Sequence, residues 1–307
     1  MARHFAKRAL WSAISLFALV VAVFFMSRMT GSPADLYLPL DAPTEMRVQF
    51  EHLHGFDRPV YEQFFSFLGD LLRFDFGMSL RQGLPAIDLV LQALPTTLLL
   101  AFYSITIALV VAVVTGALAA WRPNSIFDRI ATVLSLIGAS LPNFWVAIIG
   151  VIVFAVTLRW VPTSGTGSVA QWVLPIAVLA LRPAGLIVQV ARSSMISVLS
   201  SAYVKTARAK GAPSRRILFV HALRNGMLPV ITVAGDQAAG IINGAVIVET
   251  IFGFPGVGKL MIDSINYRDF AVIQAGVMVT AIAIFLMNVL IDLAYLGLDP
   301  RTREEMV

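Results

Sequence analysis

Residues 94–120 contain no charged side chain. As a helix, that run exceeds the roughly 20 residues needed to cross the hydrocarbon of a bilayer. Five further apolar stretches follow the same rule: Leu10–Met26, about 131–158, Trp172–Ala191, Met227–Thr250 and Ala271–Tyr295. Pro142 falls in the middle of one, where it predicts a kink or break. The stretch 172–191 reads as interrupted by Pro175 and by Arg182-Pro183. The fold class is therefore all-α, a polytopic membrane protein with six transmembrane helices. Composition agrees: 13% of residues are charged and 58% hydrophobic, against roughly 25% charged in soluble domains.

Charge placement predicts the orientation. Inner loops concentrate Lys and Arg. With six spans and both termini cytoplasmic, the short inner segments hold Arg3, Lys7, Arg8, Arg122, Arg129, Arg301 and Arg303 together with a basic island. That island, Arg192 to Arg224, has seven Lys or Arg and no Asp or Glu. The net charge of +5 thus reports membrane orientation rather than nucleic-acid binding. The basic start followed by an apolar run also fits a signal peptide, but the run is long for one and no clear cleavage site precedes Pro33, so an uncleaved first span is expected.

Three segments follow: 1–30 with the first span, 31–94 on the outer face, and a five-helix core over 95–307 whose cytoplasmic loop lies at about 192–225. From residue 30 to 94 there are nine acidic and four basic side chains. The Phe- and Leu-rich part of that region is too interrupted by charge to cross a membrane, and predicts a helical cap at the outer interface.

Within the island, YVKTARAKGAPSRRILFVHALRNGMLP spans Tyr203 to Pro229. Ala, Arg, Lys and Leu favour helix on both sides of Gly211-Ala212-Pro213. Glycine permits a left-handed cap, and proline suits the first turn of a following helix. The pattern predicts helix, break, helix, with the break exposed for a protein to dock on. The candidate docking residues are Lys205, Thr206, Ala207, Arg208, Ala209, Lys210, Gly211, Ala212, Pro213 and Ser214.

This stretch resembles the cytoplasmic loop of membrane subunits of ATP-driven (ABC) importers, whose pattern is Glu-Ala-Ala, three residues, Gly, and later Ile-x-Leu-Pro. Lys205 stands for Glu, Thr206 for Ala, His221 for Ile and Arg224 for Pro. Those departures are similar to the dipeptide, oligopeptide and nickel uptake branch, as are GFDRPVYEQF, LPTTLLL, GASLPNFW, ARSSM, VETIFGFPGVGKL and LDPR. The resemblance implies a type I-like permease in the cell inner membrane, forming half of a homo- or heterodimeric pore. It implies as partners a second permease subunit, cytoplasmic ATPase subunits and an external solute-binding protein. It further implies peptide cargo, with nickel, sugar or another solute as alternatives. ATP and Mg²⁺ would bind the partner subunits, and this chain would bind no cofactor. A secondary transporter working without ATPases is the rival reading; it calls for inverted repeats, and the two halves do not match.

Several motifs carry less than they suggest. Gly253 to Lys259 has the Gly-x4-Gly-Lys spacing of a phosphate-binding loop, but Leu260 replaces the Ser or Thr that holds Mg²⁺ and no strand pattern precedes it. A sharp turn at the membrane surface explains it better. His52 and His54 amount to half a metal site, and the absence of cysteine excludes disulfides and thiolate sites. No nucleophile, base and orienter come together as a catalytic set. Charged groups inside spans mark pathways or paired helix contacts. Arg182, Asp236, Asn243 and Glu249 are the candidate pathway residues, the last three read as roughly one side of the fifth helix. The competing role is structural, for instance Arg182 paired with Asp236.

Overall fold

The computed structural model describes the backbone of residues 2–298 and the side chains of residue 11 and residues 14–291. The Leu298–Arg301 motif and Arg303 therefore extend beyond the described residues. The helices run α1 (Ala2–Met29), α2 (Ala34–Tyr37), α3 (Thr44–Leu53), α4 (Val60–Leu71), α5 (Ala86–Trp121), α6 (Ile126–Ser140) and α7 (Asn143–Gly150). They continue as α8 (Val169–Leu199), α9 (Ala202–Ala209), α10 (Ser214–Arg216), α11 (Leu223–Phe252), α12 (Val257–Asn266) and α13 (Phe270–Leu298). Two π-helical stretches, Val151–Thr157 and Ile217–Ala222, extend α7 and join α10 to α11. No strand occurs among the described residues beyond an isolated bridge between Met78 and Pro85.

Four helices are long and apolar enough to span a bilayer, and a bent pair brings the number to as many as five; Ile14–Met29 is a shorter apolar helix. That is compatible with six spans without counting six full-length ones. The bent pair is 126–140 with 143–157, turned by 104°. Proline supplies the tendency to break: a residue before proline is pushed out of the helical region. Leu141 accordingly takes ψ 132° and Pro142 ψ 136°. The expected break at Pro142 is thus a sharp turn rather than a mild kink.

Other prolines behave differently. α8 runs for 31 residues through Pro175 and Pro183 without interruption, correcting the expected breaks. Packing compensates for the bond each proline removes, as neighbouring helices do in membranes. Likewise α5 begins at Ala86 and carries Pro95 inside it. Pro85 precedes that helix, and Asp88 in its first turn complements the positive helix end.

The chain divides into two compact units, Met1–Thr96 with Pro255–Phe285, and Thr97–Phe254 with Leu286–Val307. In the first, Val20, Phe76, Leu89, Val90, Val257 and Val272 form the core. Phe24 is fully enclosed and meets the rings of Phe64 and Phe67 at 5.1 and 5.4 Å. The region expected to form a cap is helical, as α2 to α4. Polar ties hold this unit too: Ser79 Oγ donates to Asp269 Oδ2 at 2.5 Å, and an Arg268 guanidinium nitrogen donates to Ser32 O at 2.7 Å. Burial, aided by the Asp269 charge, pushes the Tyr37 phenol up to about 12.

In the second unit α8 is central, packing against both α6 and α11. The α6 contact depends on Gly185: a Cβ there would sit 2.4 Å from Ser135 O and 2.8 Å from Ala139 N. Small residues allow this approach of backbones, the usual basis of helix association in membranes. Ala112, Ile187, Val188, Ala191 and Val230 fill one part of the core; Ala117, Ala120, Met195, Leu218 and Ala222 fill another. Trp172, half-buried, meets Phe254 at 4.9 Å and donates to Thr166 O. It is a packing residue, while Trp160 is 70% exposed.

Candidate functional site

The helix–break–helix pattern around Gly211 takes the expected form. α9 ends at Ala209, Gly211 adopts φ +79°, and Pro213 caps α10. Backbone bonds close the turn: Lys210 N to Thr206 O, Gly211 N to Arg208 O, and Ala212 N to Ala207 O. Only a residue that tolerates a left-handed backbone fits at Gly211. A Cβ there would meet nothing within 4 Å, so the constraint is conformational rather than steric.

Three apolar side chains pin this turn to the second unit. Val204, Ile217 and Leu218 are buried, the last in the cluster with Ala117, Met195 and Ala222. Around the turn, Asn225 Nδ2 donates to Tyr203 Oη at 2.7 Å, and the Arg208 guanidinium lies 5.9 Å from the Trp121 ring. Of the ten candidate docking residues, Ala207 and Ala212 are half-buried and the other eight are exposed. The surface presented is basic and protrudes from an apolar base.

The helix after the break runs on into the fifth span, so that span's helix starts well before the expected Met227. From Ser214 to Phe252 the chain is one helical run of 39 residues. The apolar face of Ile217, Leu218 and Ala222 is what carries the helix inward past Arg215 and Arg216. Arg192, counted with the island, belongs instead to α8.

Arg192 exposes a pair that the sequence reading missed. Its Nε donates to Asp128 Oδ1, and a second guanidinium nitrogen donates to Asp128 Oδ2 at 2.8 Å. Asn124 N also donates to Asp128 Oδ2, at 2.7 Å. Asp128 lies in the first turn of α6, after the Ser125 cap, and is 2% exposed. The pair therefore ties the start of the bent span to the last two turns of α8, ahead of α9. A hint lay in the sequence: Asp128 is the one acid between the second and third apolar runs, beside Arg122 and Arg129.

The four candidate pathway residues do not form one site. At about 100° per residue, Asn243 returns to within about 20° of Asp236, but Glu249 lies about 140° away. Exposure follows that geometry: Asp236 and Asn243 are exposed, whereas Glu249 is fully buried. Thr97 Oγ1 donates to Glu249 Oε1 at 2.6 Å, joining α5 to α11. Arg182 is exposed on α8, and no Arg182–Asp236 ion pair occurs among the described residues; Asp236 accepts from Gln237 instead.

The phosphate-loop look-alike is a helix–turn–helix. Gly253 ends α11 with φ +66° and Gly256 precedes α12. Lys259 pairs with Asp263 at 2.7 Å, four residues along the helix. His52 Nδ1 meets Asp57 Oδ2 at 2.8 Å and His54 Nδ1 meets Phe50 O; the described residues contain no group of three metal ligands.

Comparisons with known proteins place these features in context. The family model described as "Binding-protein-dependent transport system inner membrane component" matches residues 112–304. The oligopeptide transport system permease protein AppB of Bacillus subtilis (strain 168) is 37% identical over 313 residues, covering 98% of this chain and 99% of its own. The dipeptide transport system permease protein DppB of Alkalihalophilus pseudofirmus is 32% identical, covering 92% and 94%. The glutathione transport system permease protein GsiC of Escherichia coli (strain K12) is 33% identical, with 99% of each chain covered. Among solved structures, an inward-facing form of the MetNI methionine ABC transporter matches with TM-score 0.58 at 16% identity, over 69% of this chain and 96% of that one. At that identity the likeness speaks to the fold.

Proposed function

This chain belongs to the binding-protein-dependent transport system inner membrane components, and from that premise we propose that it forms half of a peptide-conducting pore worked through its 205–214 turn. It is a multi-pass permease subunit rather than an enzyme, and ATP hydrolysis belongs to separate ATPase subunits. The family implies those ATPases and a solute-binding protein as partners. Peptide cargo rests on the relatives, which are named for oligopeptide, dipeptide and glutathione transport.

The observation that carries the mechanism is the unbroken helical run from Ser214 to Phe252. A helix without a break transmits displacement along its axis. A partner that closes on the exposed turn therefore moves α11 with it. Because α11 packs on α8 and the Asp128–Arg192 pair ties α8 to α6, the second unit shifts as a set and alternates its access. Both termini and the basic turn face the cytoplasm in this reading. ATP and Mg²⁺ reside on the ATPases, and a second permease subunit completes the pore. Arg182, Asp236 and Asn243, exposed within apolar helices, face the pathway. Glu249, enclosed and bonded to Thr97, holds the helices together.

The test is Gly211→Val. A left-handed backbone costs a residue with a side chain roughly 1–2 kcal/mol, and the exposed turn contributes no span. The variant should reach the membrane but lose ATPase co-purification or peptide uptake in reconstituted vesicles. Wild-type assembly and uptake would refute the 205–214 turn as the coupling element.

A further inference from the structure

The first unit contains a cleft of about 640 Å³ that the pore mechanism does not use. Its size lies within the ~300–1,000 Å³ typical of small-molecule sites. Two hydrogen-bond donors on its wall lack acceptors of the right kind. Arg28 is half-buried, with its guanidinium 3.5 Å from the Phe24 ring centre and 5.4 Å from that of Phe270. Its Nε donates to Gln63 Oε1 at 2.9 Å and another nitrogen reaches Phe24 O at 3.4 Å. It has no carboxylate partner among the described residues. Gln274 is 8% exposed, and its Nε2 is buried without a hydrogen-bond partner.

A buried polar group without a partner is costly, as is a half-buried cation without a counter-charge. Each deficit is of the kind that an acceptor group carrying negative charge meets. Asp70 and Asp75 line the same cleft, and both are exposed. An ammonium group is the complement of that second, acidic part. Aromatic rings, Phe56 and Phe270 among them, supply apolar wall to the cleft.

We propose that this cleft binds a small zwitterionic solute of the short-peptide class, its carboxylate accepting from Arg28 and Gln274 and its ammonium facing Asp70 and Asp75. The peptide class rests on the proposed cargo; the pairing of charges does not. A zwitterionic phospholipid headgroup presents the same acceptor as a phosphate, so the experiment separates the two.

The full chain is placed in phosphatidylcholine nanodiscs without binding protein or ATPases, and trialanine binding is measured by calorimetry. C-terminally amidated trialanine is the partner ligand, and Gln274→Leu and Arg28→Gln are the variants. Trialanine should bind, the amide should bind on the order of tenfold or more weaker, and each variant should weaken trialanine several-fold. The amide comparison needs no folded variant. Equal binding of the two peptides, or wild-type affinity in both variants, overturns the proposal. So does absence of trialanine binding; native mass spectrometry after adding phosphatidylethanolamine would then report whether a lipid occupies the cleft. Uptake by the whole transporter is a separate measurement, so failure here leaves the peptide-import reading standing.

Discussion

Replacing Asp128 by Asn tests whether the bent span is braced to α8 by charge. Asn retains an oxygen for Asn124 N but loses the charge that Arg192 faces. Breaking a fully buried ion pair costs about 3–5 kcal/mol, because the remaining charge is left uncompensated. Here the Asp128 side chain is 2% exposed and that of Arg192 is 28% exposed, so the arginine recovers some hydration. The expected loss is therefore about 2–3 kcal/mol, read as a lower unfolding temperature of the purified permease. Arg192→Gln completes a double-mutant cycle. Removing both charges should cost less than the sum of the single changes, with a coupling of at least ~1 kcal/mol. Because the pair ties α6 to α8, each single variant should also lower uptake more than it lowers the amount of protein in the membrane. Additivity within ~0.5 kcal/mol, or uptake that merely tracks protein amount, would refute the brace.

Gly185→Ala should destabilise the protein by about 1–3 kcal/mol, since the new methyl meets the backbone of Ser135 and Ala139; Gly240→Ala, where nothing lies within 4 Å, should be neutral or stabilising in the same thermal assay. The hydrogen bond from His52 holds the Asp57 carboxyl below its ordinary value of 3.8. A depressed carboxylate adds stability above its unfolded value and loses it as pH falls through the folded one, so the contribution of this pair starts to decline near about pH 4 and is lost at lower pH. His52→Ala should return the Asp57 titration midpoint, followed by carboxyl NMR, toward 3.8; an unmoved midpoint contradicts that cause. Ser214→Cys should resist impermeant thiol reagents in sealed cells and Ser214→Cys membranes opened by lysis should react, a contrast made clean by the absence of native cysteine. Labelling in sealed cells would reverse the orientation.

The sequence by itself determined the bilayer-spanning helices and the exposed turn at Gly211. Uncharged runs such as 94–120 have no other solvent that suits them, and a glycine followed by proline limits the local backbone wherever the chain lies. Those are local constraints, legible without neighbours. What prolines do inside apolar helices was decided by packing: Pro142 produces a 104° turn, while Pro175 and Pro183 pass through α8 unbroken. The same proline chemistry operates at all three, and only the surrounding contacts distinguish them. Partners of buried charge were equally out of reach. Asp128 meets Arg192 across 64 positions of chain, and Glu249 meets Thr97 across 152. Sequence spacing cannot report such pairs, because helix packing, not separation along the chain, brings their atoms together. The polar residues of α11 divide for the same reason: helical periodicity sets Asp236 and Asn243 on one side, and the packing of α5 against Glu249 decides which side is enclosed.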